Sequence, residues 1–281
     1  MPRWAALDAA RRQAAPRVPW WIGGQRVGSV ALGHRAALAR WPRWIDDRGD
    51  GLHLRVGEDE RNGVLDEINR ALREAGLIVA WRDETYPVLT ALGAAPLALI
   101  ERAASRFWGT LTFGAHCNGW VAGADGRPSH LWIARRSQHK PTDPGKLDNL
   151  VGGGVPHGQT PRETLLREGF EEAGLDRATM ERAVAGGIVE LACDIPEGFM
   201  HEQIHGHDLR LEPEVTPVNQ DGEVAEILRL PVGEALERAA AGEMTTDATL
   251  VTLDFALRHA LLAAAEAAAL AQRLQALRHS A

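Results

Sequence analysis

The chain has 281 residues, a formal net charge of −7 and only two cysteines, Cys117 and Cys193. Apolar residues make up 45% and charged residues 25% of it, which is typical of a globular protein that can bury a sizeable core. The acidic balance argues against broad nucleic-acid binding, because that binding depends on phosphate neutralisation by Lys and Arg. The sequence predicts no transmembrane span, no secretory signal and no disulfide framework. We therefore expect a cytoplasmic protein that binds a small molecule, with no nucleic acid and no membrane as partner.

The first 110 residues predict a small α+β domain. In chain order the expected elements are a short helix at 1–15, a hairpin turned at Gly23 and Gly24, a helix at 32–40, a strand at 52–56, a helix from Val64 to Gly76 and a helix at 97–106. We place the boundary near Thr110, so that the two domains span residues 1–110 and 111–281. The remaining length suits one further domain.

The second part alternates strands with a glycine-rich loop and helices. The expected elements are strands at 113–121 and 130–135, a turn at 124–126 between them, a glycine loop from Gly152, a helix from Pro161, strands at 187–193, 200–211 and 223–230, and a helix at 246–278. The last helix is rich in Ala and Leu, so we expect it to cover the sheet or to form the contact of a homodimer.

The strongest local signals lie in the stretch 152–175, GGGVPHGQTPRETLLREGFEEAGL. Thr160 followed by Pro161, with Glu163 three residues after Thr160, predicts a capped helix start. Gly174 predicts the left-handed end of the same helix. A glycine loop therefore leads directly into a short helix.

Three carboxylates on this helix, Glu168, Glu171 and Glu172, share about one turn with Arg167. Carboxylates three and four residues apart repel one another, and a hard divalent cation with oxygen ligands would offset that repulsion. A solvated acidic face is the alternative. The glycines at 152–154 favour a metal site, because they let the backbone approach a metal or a phosphate closely.

These residues resemble the Nudix box, a motif far more specific than a lone glycine pattern. Its fixed positions are matched by Gly153, Arg167, Glu168, Glu171, Glu172, Gly174 and Leu175. Two positions depart from the pattern: Gln159 stands where the box has its first Glu, and Gly169 stands where it has an apolar residue. The resemblance implies an α/β protein, a Nudix α/β/α sandwich preceded by the small α+β domain.

The resemblance also implies Mg2+-dependent hydrolysis of a diphosphate linkage, with Mn2+ as an alternative metal. The implied metal ligands are Gly153, Glu168, Glu171 and Glu172. Arg167 would neutralise part of their charge. Glu171, or Glu223 from a later strand, would complete the metal shell or take the proton from the attacking water.

A narrower resemblance is to the Nudix proteins associated with thiamine pyrophosphokinase in fungi and plants. Residues 130–158 and 218–227 carry it, and members of that branch are similar over nearly the whole chain. That branch implies hydrolysis of thiamine diphosphate or its oxidised analogues to the monophosphate. Two alternatives stay open: a hydrolase of nucleoside-diphosphate sugars or other nucleotide diphosphates, and a ligand-sensing Nudix module in which Gln159 marks lost catalysis.

Basic residues cluster just before the glycine loop, where they would hold the diphosphate of a small organic substrate. Ordinary surface charge explains such a cluster equally well. Asp148 and Asn149 could face the ligand, or could close their own backbone turn. The candidate substrate contacts of this region are Arg135, Arg136, Lys146, Asp148, Asn149 and His157.

All nine tryptophans lie at or before Trp132. Core and interdomain packing explains most of them. We also expect one aromatic side chain, Trp108 as the first choice and Trp132 as another candidate, to stack on a cationic organic group of the substrate. The N-terminal domain would then form one wall of the substrate pocket.

Overall fold

The hairpin at Gly23 and Gly24 opens the first sheet, and both glycines have positive φ, 58° and 78°. The computed structural model of the protein describes residues 4–278. The sheet consists of β1 (Arg17–Ile22), β2 (Gln25–Ala31), β3 (Ile45–Arg48) and β4 (Gly51–Leu54), in the order β2-β1-β4-β3. The hairpin and the strand expected at 52–56 are therefore confirmed.

Four helices and a two-stranded sheet complete the N-terminal part. They are α1 (Ala5–Ala9), α2 (Arg35–Leu38), α3 (Arg61–Glu74), α4 (Ala104–Trp108), β5 (Thr85–Val88) and β6 (Ala98–Glu101), with short 3-10 turns at Leu32–His34 and Glu58–Glu60. The first helix is shorter than expected, and residues 1–3 lie outside the described part of the chain. Helix α3 buries Leu65, Ile68 and Leu72 on one side, as their spacing predicts.

The single helix expected at 97–106 is wrong. Ala98 and Ile100 are buried and alternate with more exposed neighbours, so this segment pairs with β5 as a strand. The helix begins only at Ala104.

A seven-stranded mixed sheet forms the second part. Its strands are β7 (Leu111–Ala122), β8 (Pro128–Arg136), β9 (Leu147–Asn149), β10 (Val151–Gly154), β11 (Val184–Ile195), β12 (Gly198–Arg210) and β13 (Val224–Pro231). The order is β11-β12-β7-β8-β13, and β10 and β9 pair with β7 and β8, respectively. Every strand expected here is present, although most are longer than expected.

Helices cover both faces of this sheet. They are α5 (Pro161–Ala173), α6 (Arg177–Met180), α7 (Val232–Ala240), α8 (Thr246–Arg258) and α9 (Ala264–Arg278). Helices α7, α8 and α9 share one apolar core with β11 and β12, whereas α5 shares a separate core with β7. The result is the expected α/β/α sandwich after an α+β part. None of the helices within 4–278 has the length and apolar character that a membrane crossing needs.

The single helix expected at 246–278 is also wrong. It breaks after Arg258, where Ala260 has a φ of 51° and the chain turns before α9 begins. Helix α7 had no counterpart among the expected elements.

Candidate active site

Helix α5 is capped as its sequence predicts. The Glu163 amide donates to Thr160 Oγ1 (3.2 Å), and the Thr160 amide donates to Glu163 Oε2 (2.8 Å). Gly174 ends the helix with a φ of 63°. The helix packs against β10 and β7, so its inner side faces the glycine strand.

Two of the helix carboxylates lie on the backbone of β10. A Cβ atom at residue 153 would be 2.3 Å from Glu168 Oε1, so only glycine lets this carboxylate lie so close to the strand. One turn later, Glu172 Oε2 accepts a hydrogen bond from the Gly152 amide at 2.8 Å. The glycine strand and the paired carboxylates therefore form one unit.

Burial makes this pair unusually reluctant to ionise. The Glu172 side chain is only 7% exposed, and burial together with the neighbouring Glu168 raises its pKa to about 8. Burial also raises the pKa of Glu168, although Arg167 opposes the shift. The Lys140 ammonium lies 4.0 Å from Glu172, and burial lowers the pKa of that ammonium. A bound cation would relieve the cost of ionising both carboxylates.

Arg167 holds the outer side of the cluster. Its guanidinium pairs with Glu168 Oε1 at 2.8 Å and with Glu171 Oε2 at 2.6 Å. Its Nε also donates to Gln159 Oε1 at 3.4 Å, and the Thr164 hydroxyl donates to the same oxygen at 3.0 Å. Gln159 thus contacts the arginine and the helix start, and its amide oxygen accepts the hydrogen bonds that a carboxylate would accept.

The residues present fit a hard divalent cation held by two carboxylates. Glu168 and Glu172 would supply oxygen ligands beside the glycine backbone, Glu172 from a buried and Glu168 from a half-buried side chain, whereas Glu171 is turned towards Arg167 and its side chain is 38% exposed. Between residues 4 and 278, no three His, Cys, Asp or Glu side chains are already grouped to hold a metal. A site of two carboxylates, a backbone carbonyl and water suits Mg2+, which commonly keeps several waters.

A cavity of about 380 Å³ opens between the two parts of the chain, next to the glycine strand. The N-terminal part contributes three arginines and three small apolar residues to its wall, and the second part contributes, among others, the glycines of β10, the β11–β12 hairpin and the start of α8. The cavity is thus bounded by both parts of the chain. The arginines of that wall are Arg82, Arg102 and Arg106.

Some of the predicted substrate contacts meet in this cavity. Arg136, Lys146 and Asp148 all line it. Arg136 Nη1 pairs with Asp148 Oδ2 at 2.8 Å, which holds the guanidinium at the cavity wall. Lys146 is more exposed and pairs with Asp143 at 2.7 Å.

Other predicted contacts lie elsewhere. Arg135 pairs with Glu226 at 3.1 Å and does not line the cavity. His157 is exposed, and its backbone amide donates to the Thr85 carbonyl. Asn149 is buried in a polar network behind the cavity, where it contacts His116 Nδ1 at 2.9 Å. Asn149 is therefore corrected from a substrate contact to a buried structural position, whereas the roles of Arg135 and His157 stay predictions.

The two tryptophans chosen for stacking do not reach the cavity. Trp108 is 1% exposed, stacks on Trp20 at 4.4 Å between ring centroids and donates from Nε1 to Asn69 Oδ1 at 2.8 Å. Trp132 is 6% exposed and belongs to the core beneath α5. Both predictions are corrected to core packing, because both side chains are buried within apolar clusters.

Sequence reasoning missed the cavity residues of the N-terminal part and one of β7. Arg82, Arg102 and Arg106 are too far from the box in sequence to be linked with it. His116 lies flat against Gly152, whose added Cβ would meet the imidazole at 3.1 Å. Its position directly opposite Gly152 in the β7–β10 pairing was the missing information.

Comparison with known proteins agrees with this architecture. A family model described as NUDIX domain matches residues 116–248, and one described as a domain of unknown function (DUF4743) matches residues 4–112. Nudix hydrolase 24, chloroplastic, of Arabidopsis thaliana is 37% identical over 251 residues, which are 87% of this chain and 68% of that protein. Nudix hydrolase 20, chloroplastic, of the same plant is also 37% identical, over 77% of this chain and 59% of that protein.

More distant similarities include a Saccharomyces cerevisiae protein at 30% identity, over 72% of this chain and 63% of that one. Among solved structures, a protein of Deinococcus radiodurans is 24% identical with a TM-score of 0.44, over 60% of this chain and 97% of that one. The names of both Arabidopsis proteins place them in the chloroplast; the cytoplasmic location of this chain stays a prediction.

The sandwich with paired carboxylates on a glycine strand defines an enzyme of the pyrophosphohydrolase class. The chain belongs to the Nudix hydrolase family, as its identity to the Arabidopsis proteins over most of its length shows. The predicted family and enzyme class are therefore confirmed.

Proposed function

We propose that this enzyme uses Mg2+, or Mn2+ in its place, to hydrolyse thiamine diphosphate or an oxidised analogue to the monophosphate. The proposal rests on the charged side chains that line the cavity. Five basic side chains line the cavity, Arg82, Arg102, Arg106, Arg136 and Lys146, together with the glycines of β10, and the β11–β12 hairpin adds Ile195, Met200 and Glu197. A substrate with an anionic diphosphate and a cationic organic part matches these two sets of residues.

The end that would receive the organic part lies at the β11–β12 hairpin. Ile195 and Met200 supply apolar surface there, and Glu197 is a half-buried carboxylate that forms no ion pair with any described residue. The lining contains no aromatic residue other than His116, which offers little surface for stacking a nucleobase. Attraction between Glu197 and a cationic ring thus replaces the stacking first expected from tryptophan. This arrangement favours the thiamine type of substrate over a nucleoside-diphosphate sugar.

The chain's residues divide the work around the diphosphate. When bound, Mg2+ would be held by Glu168, Glu172 and the Gly153 carbonyl, and would neutralise charge on the phosphoryl oxygens. Arg136 and Lys146 bind non-bridging oxygens from the cavity wall.

Glu223 is our choice of base over Glu171. Lys140 pairs with Glu223 and also lies 4.0 Å from Glu172, which brings the Glu223 carboxylate to the inner side of the helix. The Glu171 carboxylate is turned towards Arg167 instead. From its position Glu223 would take the proton of the attacking water.

A substrate panel tests the proposal. Purified enzyme with Mg2+ is assayed on thiamine diphosphate, its oxidised analogues and several nucleoside-diphosphate sugars, with release of the monophosphate as the readout. We expect the highest kcat/KM within the thiamine group. A higher kcat/KM for the nucleotide sugars would favour the alternative hydrolase. Binding without turnover across the whole panel would favour the sensing module.

Gln159→Glu is expected to leave the enzyme active and to change kcat by less than about tenfold. Gln159 forms hydrogen bonds with Arg167 and Thr164 and none with Glu168 or Glu172. Its neutral amide therefore leaves the two carboxylates of the metal site unchanged. A carboxylate there would pair with Arg167 more strongly. The measurement is steady-state turnover of both proteins with the best substrate. An inert wild type that Gln159→Glu switches on would instead identify a sensing module.

A further inference from the structure

Three arginines of the N-terminal part enter the cavity opposite the glycine strand. Arg102 pairs with Glu84 at 2.8 Å, and Arg106 pairs with Glu202 at 2.9 Å. Arg82 differs from both, because no carboxylate of the described residues lies within ion-pair distance of its guanidinium. Its half-buried guanidinium therefore has no direct ion-pair partner among the described residues.

The loop that carries Arg82 is held in a costly conformation. The flanking residues Ala80 and Asp83 have φ values of 59° and 58°, which non-glycine residues adopt only when their surroundings enforce it. The Arg82 amide donates to Glu101 Oε1 at 2.7 Å, and Trp81 Nε1 donates to Asp83 Oδ1 at 2.8 Å. These bonds fix the backbone from which Arg82 reaches the cavity.

Like charges surround this guanidinium. Burial lowers the pKa of Arg82, and the positive charges of Arg102 and Arg136 lower it further, although Glu84 opposes the shift. Arg102 and Arg136 each have a carboxylate partner, whereas Arg82 has none within ion-pair distance in the described part of the chain, so a bound anion would relieve the repulsion at Arg82. The wall is therefore arranged for an anion before any ligand arrives.

Two buried donor atoms near this wall have no hydrogen-bond partner among the described residues. They are Arg106 Nη1 and the Tyr86 hydroxyl. The hydroxyl lies 1.9 Å from where a Cβ of Gly154 would be, and Arg102 Nη2 lies 3.2 Å from the same point, so both border a glycine that lines the cavity. Burial raises the pKa of Tyr86, and its hydroxyl lies behind the cavity wall next to Arg102.

We propose that Arg82, with Arg102 beside it, forms a phosphate-binding site that the N-terminal domain adds to the catalytic centre. Its ligand is the phosphate group that lies farther from Glu168 and Glu172, either in a diphosphate substrate or in a phosphate product. The assignment to substrate rests on the proposed function, whereas the anion site itself does not. The N-terminal domain thus makes a second phosphate part of what the enzyme recognises.

Isothermal titration of inorganic pyrophosphate into the metal-free full chain tests the site without turnover. Arg82→Gln is expected to raise the Kd for pyrophosphate by at least about tenfold, because a charge-assisted hydrogen bond to phosphate is lost. Arg82→Lys keeps the charge and is expected to recover part of the affinity. Arg70→Gln, an exposed arginine of α3 that pairs with Asp66, is the matched control and is expected to bind like wild type.

Equal pyrophosphate affinity in wild type and Arg82→Gln would refute the proposed phosphate-binding site. Absence of pyrophosphate binding to the folded wild type would refute it as well. Steady-state kinetics supply a separate result: Arg82→Gln is expected to raise KM for the best diphosphate substrate about tenfold, with a smaller change in kcat. An enzyme that hydrolyses diphosphates normally but shows no Arg82 effect refutes this inference alone. A chain that binds pyrophosphate through Arg82 but hydrolyses nothing refutes the proposed function alone.

Discussion

Glu168→Gln and Glu172→Gln are each expected to lower kcat by at least about a hundredfold, because each removes a charge that would hold the metal at the phosphoryl oxygens. Both carboxylates lie on the glycine strand, Glu168 against Gly153 and Glu172 on the Gly152 amide. Glutamine keeps the shape of either side chain and can still accept the hydrogen bond. The measurement is steady-state turnover of the purified, folded variants with saturating Mg2+.

Glu181→Gln is the matched control. Glu181 lies just after α6, is an exposed glutamate that pairs with Arg177 at 2.8 Å, and does not line the cavity. Its turnover is expected to equal that of wild type. Near-native turnover in folded Glu168→Gln or Glu172→Gln would reject the assignment of that carboxylate to the metal.

The start and end of α5 could be predicted from sequence because local contacts decide them. The cap joins Thr160 to Glu163 within one turn, and Gly174 supplies the left-handed residue that a helix end favours. The spacing of Glu168 and Glu172 on that helix then follows from helical geometry. The part of the site carried by one short segment was therefore predictable.

Contacts between distant segments were not predictable in the same way. A tryptophan suits a binding wall or a core equally well, and only the packing of Trp20 against Trp108 shows which role applies. Arg82 and Gly153 are likewise far apart in sequence and meet only because the two parts of the chain enclose one cavity. Residue type alone carries no information about such neighbours.

Gly169 shows how a departure from a motif acquires a physical reason. A Cβ at this position would lie 2.6 Å from three atoms of the Met180 side chain, which is fully buried. The close approach of α6 to α5 therefore takes the space that an apolar side chain would fill. The sequence shows the loss of helix propensity at Gly169, but not the methionine that occupies the space.

The second large effect expected is a gain in stability from Glu172→Gln in the metal-free protein. The pKa of Glu172 rises from 4.5 to about 8 on folding, through burial and the charge of Glu168. Between these pH values the native state keeps a proton that the unfolded chain has released. The free energy of unfolding of wild type therefore falls as pH rises from about 4.5 to about 8.

Glutamine has no proton to lose, so Glu172→Gln escapes this penalty. Its advantage is expected to be small near about pH 4.5 and to reach roughly 2 to 4 kcal/mol above about pH 8. Thermal melting of both proteins across this range, with Glu181→Gln as the control that follows wild type, measures it. If the melting temperatures of wild type and Glu172→Gln changed with pH in parallel, the raised pKa of Glu172 would be contradicted.

Added Mg2+ should reverse the order of the two melting temperatures, because the metal binds the folded wild type and stabilises it by mass action. Glu172→Gln has lost one of the two carboxylates and is expected to gain much less from the metal. The same side chain would then destabilise the empty fold and stabilise the loaded one. That reversal links the burial of Glu172 to its proposed role more directly than loss of turnover, because a damaged fold lowers turnover but does not raise the metal-free melting temperature.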